Sequence, residues 1–301
     1  MKAGDRKPGK LILVPTPIGN PEDMSPRARR VLQEADLIAA EDTRDYKKLC
    51  REHGLEERPV FSCHEHNEKS REAYILERLS LGQSIALISD AGMPAISDPG
   101  ERIVRAAREA GFDVSALPGP NAAITALAAS GLPTRPFHFE GFIPASGAER
   151  KESLRRVQAI PCTIVLYESP HRLLKTLTDL CELGLSERKL CLAREISKSY
   201  ECYDLLLLRE ACEKLRETEA RGEYVLILEG EEAYLQRSPE LAVRRQEVED
   251  DEVRKRIREE LAMGNSPRAI RDCLLQQTDI PRNRLYRLIQ EEKKRDGSDG
   301  P

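Results

Sequence analysis

The sequence predicts an α/β protein of two subdomains with a cleft between them and a small helical unit at the C-terminal end. Three observations carry that expectation. In the first half, short apolar runs alternate with amphipathic helical stretches, the rhythm of a parallel sheet covered by helices. Loops rich in proline and glycine follow the carboxyl ends of several of those runs, where α/β folds place ligands. From Glu231 onward the composition shifts to dense Glu and Arg, which reads as a solvated helix or linker up to Glu260. The boundaries that follow are 10–120, 121–232 and 240–292.

The first strand covers residues 11–14 and runs into Pro15-Thr16-Pro17-Ile18-Gly19-Asn20-Pro21. Ser25-Pro26 then starts a helix, serine at the N-cap and proline at the first helical position, with Ala28, Val31, Leu32 and Ala35 inward. The strand at 37–40 ends in four polar residues, Glu41-Asp42-Thr43-Arg44, which either cap a helix or face a cleft. A third strand is expected at 59–63. The fourth, 85–88, leads into Ser89-Asp90-Ala91-Gly92-Met93-Pro94-Ala95-Ile96-Ser97-Asp98-Pro99-Gly100, a loop with two glycines, two prolines and two aspartates. Glycine lets a backbone approach a ligand and proline stiffens the loop; the plainer reading is a turn with Ser97 or Asp98 as N-cap and Pro99 opening the helix at 102–110. A fifth strand, 112–116, precedes Leu117-Pro118-Gly119-Pro120-Asn121 and a small-residue helix at 122–130. Gly131-Leu132-Pro133 reads as a hinge. Strands at 137–142, 162–167, 190–194, 202–207 and 224–228 suit a second, mixed sheet.

Past the linker, Ser266-Pro267 starts a helix with Ala269, Ile270, Cys273 and Leu274 inward. Asp279-Ile280-Pro281 breaks it, and Leu285, Leu288 and Ile289 mark another, a helix-turn-helix pattern. Between Pro267 and Gln290 five arginines (Arg268, Arg271, Arg282, Arg284 and Arg287) stand against two acidic residues, a local +3. They either contact RNA or are solvated on a packing appendage. The tail from Glu291 is expected to be disordered.

Bulk properties narrow the field. The 301 residues are 40% hydrophobic but only 4% aromatic, so the core is aliphatic. A net charge of −4 gives no global basic signature, and any nucleic-acid contact must be local. The first eight residues lack an apolar signal region and no long apolar run follows, so a cytoplasmic protein without a membrane span is expected. None of the eight cysteines forms a C-x-x-C pair, which favours reduced core thiols. Cys63-His64-Glu65-His66 is rich in metal-ligand types, but alternation on a strand end would split those side chains between two faces; no metal site is assigned. No loop is a GxGxxG fingerprint or a P-loop, so a dinucleotide or NTP phosphate site is unsupported.

Nine segments, in order from about residue 10 to 230, carry a resemblance: VPTPIGNPED, ADLIAAEDTR, HEHNE, SDAGMPAISDPG, LPGPNAAITALAASGLPT, FHFEGFIP, YESPHR, AREISK and GEYVLILEG. The chain resembles the tetrapyrrole-methylase-fold family of S-adenosylmethionine-dependent enzymes, on the branch that methylates small-subunit ribosomal RNA. It departs from the family pattern at Met93 (commonly Thr), Pro21 (Leu) and Ile196-Ser197 (Leu-Thr). The resemblance implies a cleft between two α/β subdomains that holds S-adenosylmethionine. It assigns the cofactor to Asp90, Ala91, Gly92 and Pro94 and to Pro118, Gly119 and Pro120, with Pro17, Phe142-Ile143 and the strand near Leu226 at the borders. It also implies a homodimer, and 2′-O-methylation of a cytidine in small-subunit ribosomal RNA, free or in the assembled subunit. Two rivals remain: carbon methylation of a tetrapyrrole on the same fold, and a non-catalytic ribosome-binding factor.

Methyl transfer from a sulfonium is accelerated largely by alignment. A ribose hydroxyl is a weak acid and gains from a base or from cations that stabilise developing alkoxide. Candidate catalytic groups are Glu41, Asp42 and Arg44, Glu168, and Arg194 with Lys198, all at carboxyl strand ends. Arg172 is expected on RNA phosphate, and His171 as a cap of its own helix.

Overall fold

A computed structural model describes residues 8–277 and 280–296. The expectations placed on the first seven residues, on Asp279 and on 297–301 lie outside the described residues. Two compact units divide the chain, Met1–Ala233 and Tyr234–Pro301.

The first sheet contains β1 (Lys10–Leu13), β2 (Leu37–Ala40), β3 (Val60–Ser62), β4 (Ile85–Ile88) and β5 (Asp113–Ala116). All pairings are parallel, in the order β3-β2-β4-β1-β5. Strand periodicity sends alternate side chains to opposite faces. Ala86 and Ile88 pack with α1 (Pro26–Glu34) and α2 (Thr43–His53), whereas Ile85 and Leu87 pack with α3 (Glu68–Ser80) and α4 (Glu101–Glu109). Because β1 leads to one side of the sheet and the neighbouring β4 to the other, a topological switch point lies between them, where a crevice opens outside the carboxyl ends.

α5 (Ala122–Ala129) leaves β5 and packs on the second sheet, its Ala123, Ala126 and Leu127 against Val165, Val225 and Ile227. That sheet holds β6 (Phe137–Phe142), β7 (Thr163–Glu168), β8 (Lys189–Arg194), β9 (Cys202–Leu207) and β10 (Tyr224–Leu228). Its order is β6-β7-β10-β8-β9; β6 and β7 are parallel and the other pairs antiparallel. α6 (Gly147–Ala159), α7 (Pro170–Leu180) and α8 (Leu208–Glu217) cover the remaining face through Leu154, Val157, Leu173, Leu177 and Ala211. β10 lies mid-sheet and is buried along its whole length.

Ser25 caps α1 as expected, its Oγ accepting from the Ala28 N–H at 3.0 Å. α4 corrects the reading of its start: the N-cap is Gly100 at φ +134°, not Ser97 or Asp98. The free N–H groups of that helix are taken by a remote carboxylate, Glu68 Oε1, 3.0 Å from the Gly100 nitrogen and 3.4 Å from that of Ile103. Asp98 is thereby released from capping. His171 is not the cap of α7 either; Ser169 holds that position and His171 is exposed inside the helix.

After β10 come α9 (Glu231–Arg237), α10 (Pro239–Ala262), α11 (Pro267–Gln277) and α12 (Arg282–Asp296), the last three wholly within the second unit. The charged stretch to Glu260 is more than a solvated linker, because Val253 and Ile257 of α10 join Ile270, Leu274, Leu285, Leu288 and Ile289 in one core. The expectation of disorder from Glu291 fails up to Asp296, where α12 continues. Glu292 is 2% exposed and accepts from Arg254 and Arg258, each at 3.1 Å. A buried carboxylate with two guanidinium partners holds the last turns in place.

Candidate active site

At the switch point the loops after β1 and β4 are joined as a two-residue antiparallel bridge. The Thr16 N–H donates to the Gly92 carbonyl and the Gly92 N–H to the Thr16 carbonyl, both at 3.0 Å. Thr16 Oγ1 also reaches the Ser89 carbonyl at 3.3 Å. Gly92 sits at φ +82°, and a Cβ there would lie 3.2 Å from Ile18 Cγ2. A Cβ on Gly119 would come within 2.7 Å of Pro15. Two other residues of the β4 loop, Ala95 at +68° and Ser97 at +63°, are left-handed without being glycine, a conformation a loop holds only when its surroundings over-determine it.

A cleft of about 370 Å³ opens beside this loop, a size suited to a small-molecule ligand. Ala91, Gly92, Met93, Asp98 and Asn121 form one wall; Phe142, Tyr167, Glu168, Glu223 and Val225 of the second sheet form the other. The Tyr167 ring stacks edge-on against Phe139 at 5.3 Å and tilted against Phe142 at 5.4 Å, giving an aromatic floor suited to a flat base. Backbone N–H and C=O groups of a glycine loop facing an aromatic wall fit an adenosyl group. The chains of the two sheets also meet at one side: Ser197 Oγ donates to Asp23, and a Cβ on Gly19 would strike Lys198 Cγ at 2.4 Å.

Of the expected cofactor residues, Ala91, Gly92 and Phe142 line this cleft. Pro17 and Asp90 line a second hollow beside α2, together with the catalytic candidate Asp42, and Gly119 and Pro120 a third with Ile196 and Ser197. Pro94 is buried and Pro118 exposed.

The carboxylates at the end of β2 and β4 crowd one another. Glu41 Oε2 accepts from the Asp90 N–H at 3.4 Å, and Asp90 Oδ1 from the Asp42 N–H at 3.1 Å. Burial, then Asp90 and Asp98, push the Glu41 carboxyl up to about 7. Burial also raises Asp98, to about 6, and Asp90. Asp42 caps α2 and pairs with Arg44, whose hydrogen bonds hold its carboxyl down at about 2. Arg44 itself is 88% exposed.

On the second sheet the candidates are paired. Glu168, at 1% side-chain exposure, accepts from Arg172 Nε at 2.9 Å, Thr176 Oγ1 at 2.6 Å and the Ser169 N–H at 2.9 Å. Arg172 also donates to the Ile143 carbonyl. Lys198 Nζ lies 3.0 Å from both Glu195 and Glu223. Arg194 ends β8, half-buried, opposite Tyr224 and Cys202. Asp98 and Tyr167 were not among the expected site residues; Ser97-Asp98-Pro99 imitates a helix start, and that signal masked Asp98. Among the described residues no group of three His, Cys, Asp or Glu side chains is placed to hold a metal. The Cys63 motif is divided by a turn, since β3 ends at Ser62 rather than running through it. None of the eight cysteines is in a disulfide.

A cleft at the switch point, walled by a glycine loop and an aromatic strand end, matches a known class of group-transfer protein. Residues 10–203 match the model of the tetrapyrrole (corrin/porphyrin) methylases, and the chain belongs to that family. Within it, the chain is 46% identical over 245 residues to the ribosomal RNA small subunit methyltransferase I of Escherichia coli O157:H7, covering 81% of this chain and 85% of that one. To the protein of the same name from a Synechocystis species it is 42% identical over 280 residues, 93% and 97% of the two chains. Among solved structures, the native uroporphyrin III C-methyltransferase of Thermus thermophilus superposes with a TM-score of 0.53 at 22% identity, covering 75% of this chain and all of that one. The same enzyme complexed with S-adenosyl homocysteine gives 0.52 at 21%. At such identities the likeness is one of fold.

Proposed function

We propose that this chain is an S-adenosylmethionine-dependent methyltransferase that methylates a ribose 2′-hydroxyl of a cytidine in small-subunit ribosomal RNA. The observation that carries the reading is identity above 40% with proteins named for that RNA, along nearly the whole chain. S-adenosylmethionine supplies a methyl group already activated by a sulfonium. The chain's own residues support its binding: Ala91 to Met93 and Ala122 offer backbone groups, Phe142 and Tyr167 a stacking surface, and Gly92 leaves room that a side chain would fill. Arg44, exposed at the rim of the first sheet, is suited to RNA phosphate. Arg172 and Lys198 are committed to Glu168, Glu195 and Glu223, and with Arg194 they hold the second wall in shape.

Three arginines of the C-terminal unit, Arg268, Arg282 and Arg287, are exposed and suited to recruit RNA, with Arg287 also 3.9 Å from Asp250 and from Glu291; Arg271 pairs with Asp272 and the less exposed Arg284 with Asp250. The chain acts in the cytoplasm as a homodimer; the exposed apolar side chains of Ile124, Tyr200 and Leu205, the last on edge strand β9, support a self-association surface. Sedimentation velocity tests the dimer. No helix among the described residues is long and apolar enough to cross a membrane.

The activity is tested by calorimetric binding of S-adenosylmethionine, then transfer of a tritiated methyl group to small-subunit ribosomal RNA, to assembled small subunits and to uroporphyrinogen. Label in the RNA at a cytidine 2′-oxygen is the expected result. Label in the porphyrinogen alone would replace this reading with carbon methylation, and binding without transfer to any of them would leave a non-catalytic factor.

A further inference from the structure

We infer that the exposed face of α2 is a docking surface for RNA phosphates, an inference that rests on the activity proposed above. Arg44, Lys47, Lys48 and Arg51 are spaced i, i+3, i+4 and i+7, so all four stand on one stripe of the helix. Each is exposed, Arg44 at 88%, Lys48 at 64% and Lys47 at 50% of the side chain. The two acidic residues of the helix, Asp45 and Glu52, lie on one flank, where they line the hollow beside α2.

Basic side chains three and four residues apart on a helix repel one another, and every neighbour along this stripe is such a pair. Little within the protein offsets that. Lys47 lies 3.9 Å from Glu57 and Lys48 3.8 Å from Glu52, both long and exposed, and Lys48 precedes its glutamate, the weaker order on a helix. Arg51 makes no side-chain hydrogen bond or ion pair among the described residues. Arg44 alone is well held, by Asp42.

α1 packs on the same face of the first sheet and is tied to α2 by Arg29, which donates to the His53 carbonyl at 2.7 Å. It adds Arg27 and Arg30, exposed and without an ion pair among the described residues. Together α1 and α2 carry seven Lys and Arg against three Asp and Glu. α3 and α4, on the other face, carry six against five, and there Arg102 pairs with Glu72 and Arg105 with Glu101. One face is balanced; the other holds uncompensated positive charge on a chain whose net charge is −4. A polyanion is the partner such a surface fits.

Position points to the substrate as that polyanion. β2 ends at Ala40 and α2 starts at Thr43, so Arg44 stands at the carboxyl edge where the cleft opens. The N-cap residue Asp42 touches the loop after β4, its N–H donating to Asp90 Oδ1 at 3.1 Å. From Arg44 the stripe runs for about 10 Å at roughly 1.5 Å per residue. That length faces roughly three phosphates of one strand. A strand held there arrives at the cleft with its phosphates neutralised.

The test compares wild type with Lys47→Gln/Arg51→Gln and with Arg102→Gln/Arg105→Gln, an equal change of charge on the other face. Binding to isolated small-subunit ribosomal RNA and to assembled small subunits is measured across a salt series. Calorimetric binding of S-adenosylhomocysteine and urea midpoints are measured beside it. Lys47→Gln/Arg51→Gln is expected to weaken RNA binding roughly five- to tenfold and to flatten the log–log salt slope by roughly 1.5. It should bind S-adenosylhomocysteine as the wild type does. Its urea midpoint should equal or exceed that of wild type, because repelling charges have gone. Arg102→Gln/Arg105→Gln should leave RNA affinity and slope near wild type. An unchanged slope in the α2 variant would overturn the inference, and so would an equal loss in both variants, which would reduce the effect to net charge. A lowered urea midpoint or weakened S-adenosylhomocysteine binding in the α2 variant would also overturn it, making the stripe part of the folded frame. A loss confined to assembled subunits would assign α2 to an acidic protein partner instead. Wild-type protein that fails to methylate the RNA would overturn the activity itself and is seen before any variant is made.

Discussion

At the carboxyl edge of the first sheet carboxylates face one another, while at the facing wall of the second sheet each buried carboxylate faces a cation. Glu41, Asp90 and Asp98 all titrate above their ordinary range. Glu140 shows the opposite: against the desolvation of its burial, hydrogen bonds from Arg156, Ser153 and His138 hold it at about 2. Glu195 is likewise lowered, by the Glu223 N–H and by Lys198. The backbone differs in the same sense, with left-handed alanine and serine in the β4 loop and a paired, buried strand at β7. One wall stores electrostatic and conformational cost where chemistry is proposed, and the other is a neutralised frame that holds the distance.

The largest test of that contrast is removal of a frame carboxylate. Glu168→Ala leaves Arg172 and Thr176 without their shared acceptor and should destabilise the protein by about 3–5 kcal/mol in urea unfolding. A shift near zero would mean the second wall is not held by this pair. Gly92→Val comes next: a β-branched residue at φ +82° costs about 1–2 kcal/mol in the left-handed region. It also fills the approach beside Ile18. Its binding of S-adenosylmethionine, read by calorimetry, should be lost while the chain stays folded.

The two walls should also answer acid in opposite directions. Glu140 has a folded pKa below its unfolded value of 4.5, so its stabilisation is present above that pH and fades between about 4.5 and about 2. Glu41 and Asp98 are raised, so their native forms hold protons more tightly than the unfolded chain does. Their destabilisation is complete above about pH 7 and is relieved as pH falls toward 4. Urea midpoints should therefore rise on modest acidification and collapse further down. Glu41→Gln should flatten the rise and Glu140→Gln the collapse.

The smallest effects belong to exposed charge. Reversing Arg268, Arg282 and Arg287 to glutamate should leave S-adenosylmethionine binding unchanged and flatten the log–log salt dependence of RNA affinity by roughly 2. An unchanged slope would make these arginines ordinary surface. Asp42→Asn keeps a side-chain acceptor at the N-cap of α2 and loses only a solvent-screened pair with the exposed Arg44, so it should not move the urea midpoint measurably.

What could be read along the chain was local. The strands at 37–40, 85–88, 137–142, 202–207 and 224–228 coincide with β2, β4, β6, β9 and β10, because apolar runs between turn residues carry their own signal. Ser25 and Ser266 were legible as helix starts for the same reason; each meets its N–H within three residues. Ser97-Asp98-Pro99 carried the same local signature and misled, since Glu68 from α3 took the cap instead. Nor could α10 be read as a core helix, because Val253 and Ile257 are two apolar positions in a charged run whose partners lie on α11 and α12.

By itself, then, the sequence determined where strands and helices lie, which loops follow the strand ends, and the family to which the chain belongs. Only the tertiary structure decided which carboxylates acquire a cation. Glu168 meets Arg172 one helical turn away, but Glu223 meets Lys198, and Glu292 meets Arg254 and Arg258, across the fold. Asp98 meets none among the described residues. A side chain's charge is written in the sequence, but its proton affinity depends on desolvation and on neighbours brought together by packing, and those exist only once the chain has folded.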